Sequence, residues 1–289
     1  FRSLQAGFWL EGALAPDTGS GAGANNPGPG FAFSRRSTVS LAGSFGEVRL
    51  GRDFAVGYDK PSSYDPFNQS GFGALQGWFP RVSNMVSYRT PATLGGFFAQ
   101  AQYGFGENAG NNGAGRYMGL AGGYENGPLS VTLSADQTKA GAVNNGYSTT
   151  TLLSDRKTWS LGASYDFGVV KPTVSYHSEK NGEANPSAQL NVLMLAAAAP
   201  VGPGRLVASY ARYDLKNSSN DSNALNIGYV YDLSKRTALY GTYAHMNNKG
   251  QAARNVSNMS GPGSFGSNVT VLPGQGVSCE GAVMLDQLG

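Results

Sequence analysis

The sequence predicts an all-β fold, a transmembrane antiparallel β-barrel, from three observations. Strand-length segments alternate apolar and polar residues with period two, charged residues are few, and no apolar run is long enough for a membrane-crossing helix. Charged residues are 13% of the 289, about half the share usual in soluble globular proteins, so a salt-bridged surface is not what keeps this chain in its medium. The longest apolar stretch, Val192 to Val201, runs about ten residues and contains Pro200, well short of the roughly 18 a spanning helix needs.

The alternation is clearest from Phe97, where Phe97, Ala99, Ala101, Tyr103 and Phe105 interleave with Phe98, Gln100, Gln102 and Gly104. It recurs with Leu129, Val131, Leu133 and Ala135 against Ser130, Thr132, Ser134 and Asp136. Trp159, Leu161, Ala163, Tyr165 and Phe167 then alternate with Ser160, Gly162, Ser164 and Asp166, and Leu225, Ile227, Tyr229 and Tyr231 follow. Short connections rich in turn formers lie at Glu125 to Pro128, Phe167 to Val170, Pro200 to Gly204 and Asp232 to Arg236. Long ones lie at Pro16 to Gly30, Gly106 to Gly115, Gln137 to Asp155 and Lys180 to Pro186. That rhythm assigns periplasmic turns and external loops, with aromatic pairs such as Tyr103/Phe105 and Tyr165/Phe167 at the headgroup level. The second face carries Ser, Thr, Gln, Gly and an occasional Asp rather than rows of Lys and Glu, which suits a water-filled lumen. On periodicity alone a soluble β-sandwich or solenoid stays open as the alternative.

Other chemistries find little support. Cys279 is the single cysteine, and with only His177 and His245 beside it neither an intramolecular disulfide nor a zinc site is expected. No cofactor is expected. A net charge of +3, scattered along the chain, is too mild for nucleic-acid binding. By parity His177 shares the inward face with Thr173 and Ser175, and His245 lies near a strand end. Neither adjoins a nucleophile motif, so the chain does not read as an enzyme. A structural or adhesin-like outer-membrane or extracellular β protein is the competing reading.

Five stretches are more specific: Ala6-Gly-Phe-Trp-Leu-Glu-Gly12, Phe33-Ser-Arg-Arg-Ser-Thr-Val-Ser-Leu-Ala-Gly43, Phe45-Gly-Glu-Val-Arg-Leu-Gly-Arg-Asp53, Asn84-Met-Val-Ser-Tyr-Arg-Thr-Pro91 and Leu233-Ser-Lys-Arg-Thr-Ala-Leu-Tyr-Gly241. Together they resemble the trimeric general porins of beta-proteobacteria, the neisserial-type family, especially its anion-selective members, over roughly residues 5 to 250. The resemblance implies a Gram-negative outer-membrane channel for small hydrophilic solutes, a sixteen-stranded barrel, a homotrimer embedded in outer-membrane lipid, and small inorganic and organic anions as permeants. Thirteen strands are counted here, starting near Leu4, Phe33, Gly46, Val82, Gly95, Arg116, Pro128, Lys157, Val170, Ala188, Arg205, Asn223 and Arg236. The reading is a single barrel domain over 1–289 with about 13 to 14 strands, its N-terminal and closing strands missing or altered, and a divergent tail over 251–289.

The segment 54–81 matches the family's third loop, which folds into the lumen as a constriction. Arg36 falls with Thr38 and Ser40 on the polar face, opposite Val39 and Leu41, while Arg35 opens the same strand. Arg49, between Val48 and Leu50, also points inward, and Arg81 corresponds by motif to a constriction arginine of the anion-selective porins. Guanidinium groups stay charged at physiological pH and present several donors to carboxylate or phosphate oxygens. Glu11 and Glu47, with Asp59 and Asp65 on the loop, are expected to temper this field by pairing with the arginines.

Overall fold

The computed structural model describes residues 4–15, 20–21, 31–67, 80–144, 149–183, 188–234, 237–252, 254 and 276–285. The described elements begin with β1 (Gln5–Glu11), β2 (Leu14–Ala15), β3 (Ser20–Gly21), β4 (Arg36–Gly43), β5 (Gly46–Phe54) and the helix α1 (Val56–Ser62). They continue with β6 (Arg81–Arg89), β7 (Phe97–Gly104), β8 (Tyr117–Asn126), β9 (Leu129–Thr138), β10 (Gly141–Asn144), β11 (Thr149–Leu152) and β12 (Arg156–Tyr165). The last are β13 (Lys171–Lys180), β14 (Gln189–Val201), β15 (Gly204–Leu215), β16 (Ser222–Ser234), β17 (Thr237–Asn248) and β18 (Gly276–Leu285). One fourteen-stranded sheet holds β1, β4 to β9 and β12 to β18 in chain order, while β2 with β3 and β10 with β11 form separate two-stranded ribbons.

The thirteen strands expected from the sequence all form, each within three residues of its expected start. Three features go beyond the strand pattern: the β2–β3 ribbon after β1, the β10–β11 ribbon after β9, and the helix at the start of the 54–81 segment. A fourteenth strand, β18, within the 251–289 tail pairs with β17, Cys279 opposite Tyr243, and brings the main sheet to the upper end of the expected 13 to 14.

Two compact units compose the chain, one from 1–60, 77–161 and 178–189, the other from 61–76, 162–177 and 190–289. In the first, burial is inverted relative to a soluble sheet. Along β9, Thr132, Ser134 and Asp136 are buried while Leu133 between them is 54% exposed. On β8 the outward Leu120 is 65% exposed. A sheet in water would bury those leucines; a sheet whose outer face lies in hydrocarbon leaves them there and turns its hydroxyls inward. Period-two geometry enforces the sorting, because successive side chains point to opposite faces.

In the second unit the outward rows are again apolar, with Leu193, Leu195, Leu225 and Ile227 exposed. Its inward face departs from the expected hydroxyl-rich surface at one place. Val192, Met194, Ala211, Tyr213, Ala224, Ala244 and Met246 form a buried apolar cluster on neighbouring strands β14 to β17. Small residues at 211, 224 and 244 leave room for the methionines, and the guanidinium of Arg254 lies 5.3 Å from the Tyr213 ring. Pro200 sits next to last in β14, where a missing amide costs the ladder little. His177 and Ser175 are buried on the inward face, as parity requires.

Two of the described connections are tied down locally. Asn108 donates to the carbonyls of Ala114 and Ala142 and accepts from the Ala142 amide, fastening the 106–115 loop to β10. Before β12, Asp155 accepts from Lys139 Nζ at 2.8 Å, Gln137 Nε2 at 2.6 Å and the Ala140 amide at 3.1 Å. The Lys139 hydrogen bond, opposed by a smaller desolvation effect and assisted by that amide, holds the Asp155 carboxyl below its usual pKa. A depressed folded-state pKa contributes stability above the unfolded value, near 3.9 for aspartate, and that contribution disappears as pH falls through the lowered midpoint. Titration of the Asp155 carboxyl carbon by NMR should therefore give a midpoint below that of an exposed aspartate, and Lys139→Met should move it up. An unchanged midpoint in the variant would mean that the lysine is not its cause.

Candidate ion-selectivity site

Parity and one irregularity build the site. Strand β4 places Arg36 in the row of Thr38 and Ser40, and the register sets Ser40 opposite Arg49 and Glu11 opposite Arg36. On β5 the residues 47, 49, 51 and 53 share that face. Pairing of β5 with β6 shifts between Gly51 and Asp53, where Asn84 takes a φ of 49°. Asparagine is among the few side chains that tolerate that backbone region, and a shift of this kind re-aims the side chains beyond it.

Asp53 is the hub. Its Oδ2 accepts from Arg36 Nη2 at 2.9 Å and from Arg49 Nη1 at 2.6 Å, and its side chain is 6% exposed. Arg49 also donates to both oxygens of Glu47, at 2.9 and 3.0 Å. The Arg36 guanidinium lies 4.4 Å from the ring of Trp9, the partner of Thr38 on β1. Helix α1 adds Asp59 and Lys60, ion-paired at 3.2 Å, with the ammonium 5.2 Å from the Phe98 ring. The charged groups of this set, with Phe54, Ser87, Arg89 and Gln100, line a cavity of about 300 Å³. Four cationic side chains (Arg36, Arg49, Lys60, Arg89) face three carboxylates (Glu47, Asp53, Asp59), an excess of one positive charge in the lining, and Arg89 also lies 4.0 Å from Glu125 outside it.

Helix α1 reaches this place by lying against polar-face residues of the strands. Gly119 lacks a side chain where a Cβ would come within 2.7 Å of Val56 Cγ2 and closer still to the Tyr117 hydroxyl. In the second unit the Tyr64 ring covers Gly162 in the same way, occupying the space a Cβ would need. Glycine in the polar row of a strand thus marks where another segment presses close.

Of the expected residues, Arg36, Arg49, Glu47 and Asp59 come together at the cavity. Arg35 and Glu11 pair with each other instead, also joined through the Arg35 amide and Glu11 carbonyl at 3.1 Å. Arg81 is buried with its guanidinium 4.5 Å over the Phe54 ring, so it backs a lining residue and does not itself line the cavity. The register shift accounts for this, since it sets Arg81 opposite Phe54. Asp65 is buried in the second unit, where it accepts the Phe67 amide at 2.9 Å and closes a turn. Sequence reasoning missed Asp53, Lys60 and Arg89. Asp53 and Arg89 were available from parity, through Arg49 and Ser87 respectively; Lys60 lies on a helix that strand periodicity does not reveal. The 68–79 part of the loop lies outside the described residues.

A family model described as Gram-negative porin matches residues 3–251. The chain is 41% identical over 263 residues to outer membrane porin protein 32 of Delftia acidovorans, an alignment covering 85% of this chain and 71% of that protein. It is 31% identical over 290 residues to an outer membrane porin protein of Bordetella pertussis, covering 83% and 73%. Among solved structures, the anion-selective porin from Comamonas acidovorans superposes with a TM-score of 0.73 at 38% identity, over 88% of this chain and 78% of that one.

Proposed function

Because this chain belongs to the Gram-negative porin family, we propose that its outer-membrane channel prefers anions and that the cavity at Arg36, Arg49, Lys60 and Arg89 sets the preference, with 54–81 as the constricting segment. The fold is the antiparallel β-barrel of outer-membrane porins, and the relatives are channels. The observation that carries the reading is the cavity lining, where cations outnumber carboxylates on the inward face of strands whose outward face is apolar. Fixed charge in a narrow, low-dielectric passage raises the local concentration of the opposite ion without tight binding, and salt screens the effect. One net charge about 7 Å from an ion in water is worth roughly 0.6 kcal/mol, about a threefold change in occupancy, and the Glu125 carboxylate 4.0 Å from Arg89 makes this an upper figure.

The family alone would fit a neutral channel as well, whereas the cation excess makes a directional claim. The apolar outward rows would contact lipid and, in a homotrimer, partner subunits. Small inorganic and organic anions are the permeants this lining favours. Under a potassium chloride gradient in planar bilayers the reversal potential should lie on the anion side, and Arg36→Ser with Arg49→Ser should lower the chloride-to-potassium permeability ratio by roughly threefold or more. A cation-side reversal in the unmodified protein overturns the proposal. An unchanged ratio in the double variant removes these two arginines from it.

A further inference from the structure

Resting on the reading of 54–81 as the constriction, we propose that Asp136 is the positioning residue that fixes where the constriction lies, by capping α1 from strand β9, and that Arg156 and Glu179 hold Asp136 in that task. Helix α1 has seven residues, includes Gly57 and Pro61, and is preceded by Ala55, whose side chain offers no acceptor to the first amides. Helices this short do not persist in water, and alanine is among the poorest N-cap residues. The capping therefore comes from elsewhere in the chain. The Val56 amide donates to Gln102 Oε1 at 2.9 Å and to the Tyr117 hydroxyl at 3.1 Å. The Gly57 amide donates to Asp136 Oδ2 at 3.0 Å. Gln102 Nε2 donates to the Phe54 carbonyl at 2.9 Å, so the residue entering the helix is held as well.

Asp136 is itself fixed. Its Oδ1 accepts from Thr158 Oγ1 and lies 3.5 Å from Arg156 Nη1, while Arg156 Nε donates to Glu179 Oε1 at 3.0 Å. Arg156 and Glu179 are each 2% exposed, and Asp136 is buried between the helix and β12. One carboxylate oxygen is thereby committed to β12 and the other is presented to the Gly57 amide. Charge-assisted bonds of this kind are short and directional, which suits a fixed point. Gly57 is the complement of the carboxylate, since a Cβ built there would overlap Asp136 Oδ2. Asp59 and Lys60 follow within one turn and line the cavity, so the phase set at Gly57 carries directly to the charges an ion meets.

The test is single-channel recording with folding monitored separately by heat-modifiable gel migration. Asp136→Ala should fold, raise conductance at least roughly 1.5-fold, add open-channel noise and reduce ion selectivity as the segment loses its place. Asp136→Asn keeps an acceptor for Gly57 but not the charge facing Arg156, and should fall between. A disulfide separates positioning from general stability. The built Gly57 Cβ lies 2.6 Å from Asp136 Cγ, so the two β-carbons are no more than about 4 Å apart, inside the upper limit of a disulfide's reach. In a Cys279→Ser background, Gly57→Cys with Asp136→Cys should show wild-type conductance when oxidised and the enlarged, noisy state when reduced. Wild-type conductance and selectivity in Asp136→Ala, or indifference of the double-cysteine variant to reductant, overturns the inference. Lys60→Cys labelled with a bulky thiol reagent addresses the constriction reading itself. A block there combined with silent Asp136 variants sinks only this inference, and no block sinks both.

Discussion

Asp53→Asn should increase anion preference about threefold while destabilising the protein by roughly 2–3 kcal/mol. Both effects follow from the position of one carboxylate. Asp53 joins Arg36 and Arg49 through a single oxygen at 2.9 and 2.6 Å, in a site where its side chain is 6% exposed. Removing one member of a buried ion pair typically costs about 3–5 kcal/mol, because the charge left behind stays out of water. Here the cost is smaller for two reasons. Arg49 keeps Glu47 at 2.9 Å and is about a quarter exposed, and Arg36 keeps the Trp9 ring. The electrostatic effect has the opposite sign to the structural one: the lining passes from one net positive charge to two, and the local chloride concentration rises accordingly. Reversal potentials and urea unfolding in detergent or lipid vesicles measure the two effects independently. A stability loss with no change in selectivity would make Asp53 a purely structural clamp. A fall in anion preference would show that Arg36 and Arg49 collapse out of the passage once the carboxylate is gone.

Much of this architecture could be read from residue alternation, because a barrel strand is defined by two environments and the sequence reports them at every second residue. Leu133 between Thr132 and Ser134, or Trp159 between Thr158 and Ser160, states its orientation without reference to any other strand. The same rule placed Arg36 and Arg49 inward and would have placed Asp53. It could not locate α1. Val56-Gly-Tyr-Asp-Lys-Pro-Ser62 contains two poor helix formers and no cap, and its acceptors lie 46, 61 and 79 residues away at Gln102, Tyr117 and Asp136. A helix assembled by distant strands leaves only indirect marks, such as the glycine at 119 beside Val56. Arg81 shows the other limit of alternation, since the shift at Asn84 changes which β6 residues share a face with β5.

The outward face gives the second large effect. Leu133 is 54% exposed at the middle of β9, and Leu129 on the same face stands at the strand end next to a two-residue turn. If that face lies in hydrocarbon, Leu133→Arg places a guanidinium near the bilayer midplane and should cost about 2–4 kcal/mol, whereas Leu129→Arg, near the interface, should cost at most about 1. In water the order would disappear. An exposed leucine exchanged for arginine on a solvated sheet changes stability by less than about 0.5 kcal/mol and often improves solubility. Equilibrium unfolding from lipid vesicles discriminates between the two environments, because depth within the bilayer is the main variable separating two identical substitutions on one face of one strand. Equal, small costs at both positions would remove the lipid from the account of this face. A graded cost would show that the exposed leucines are the part of this protein that the membrane, rather than its own core, holds in place.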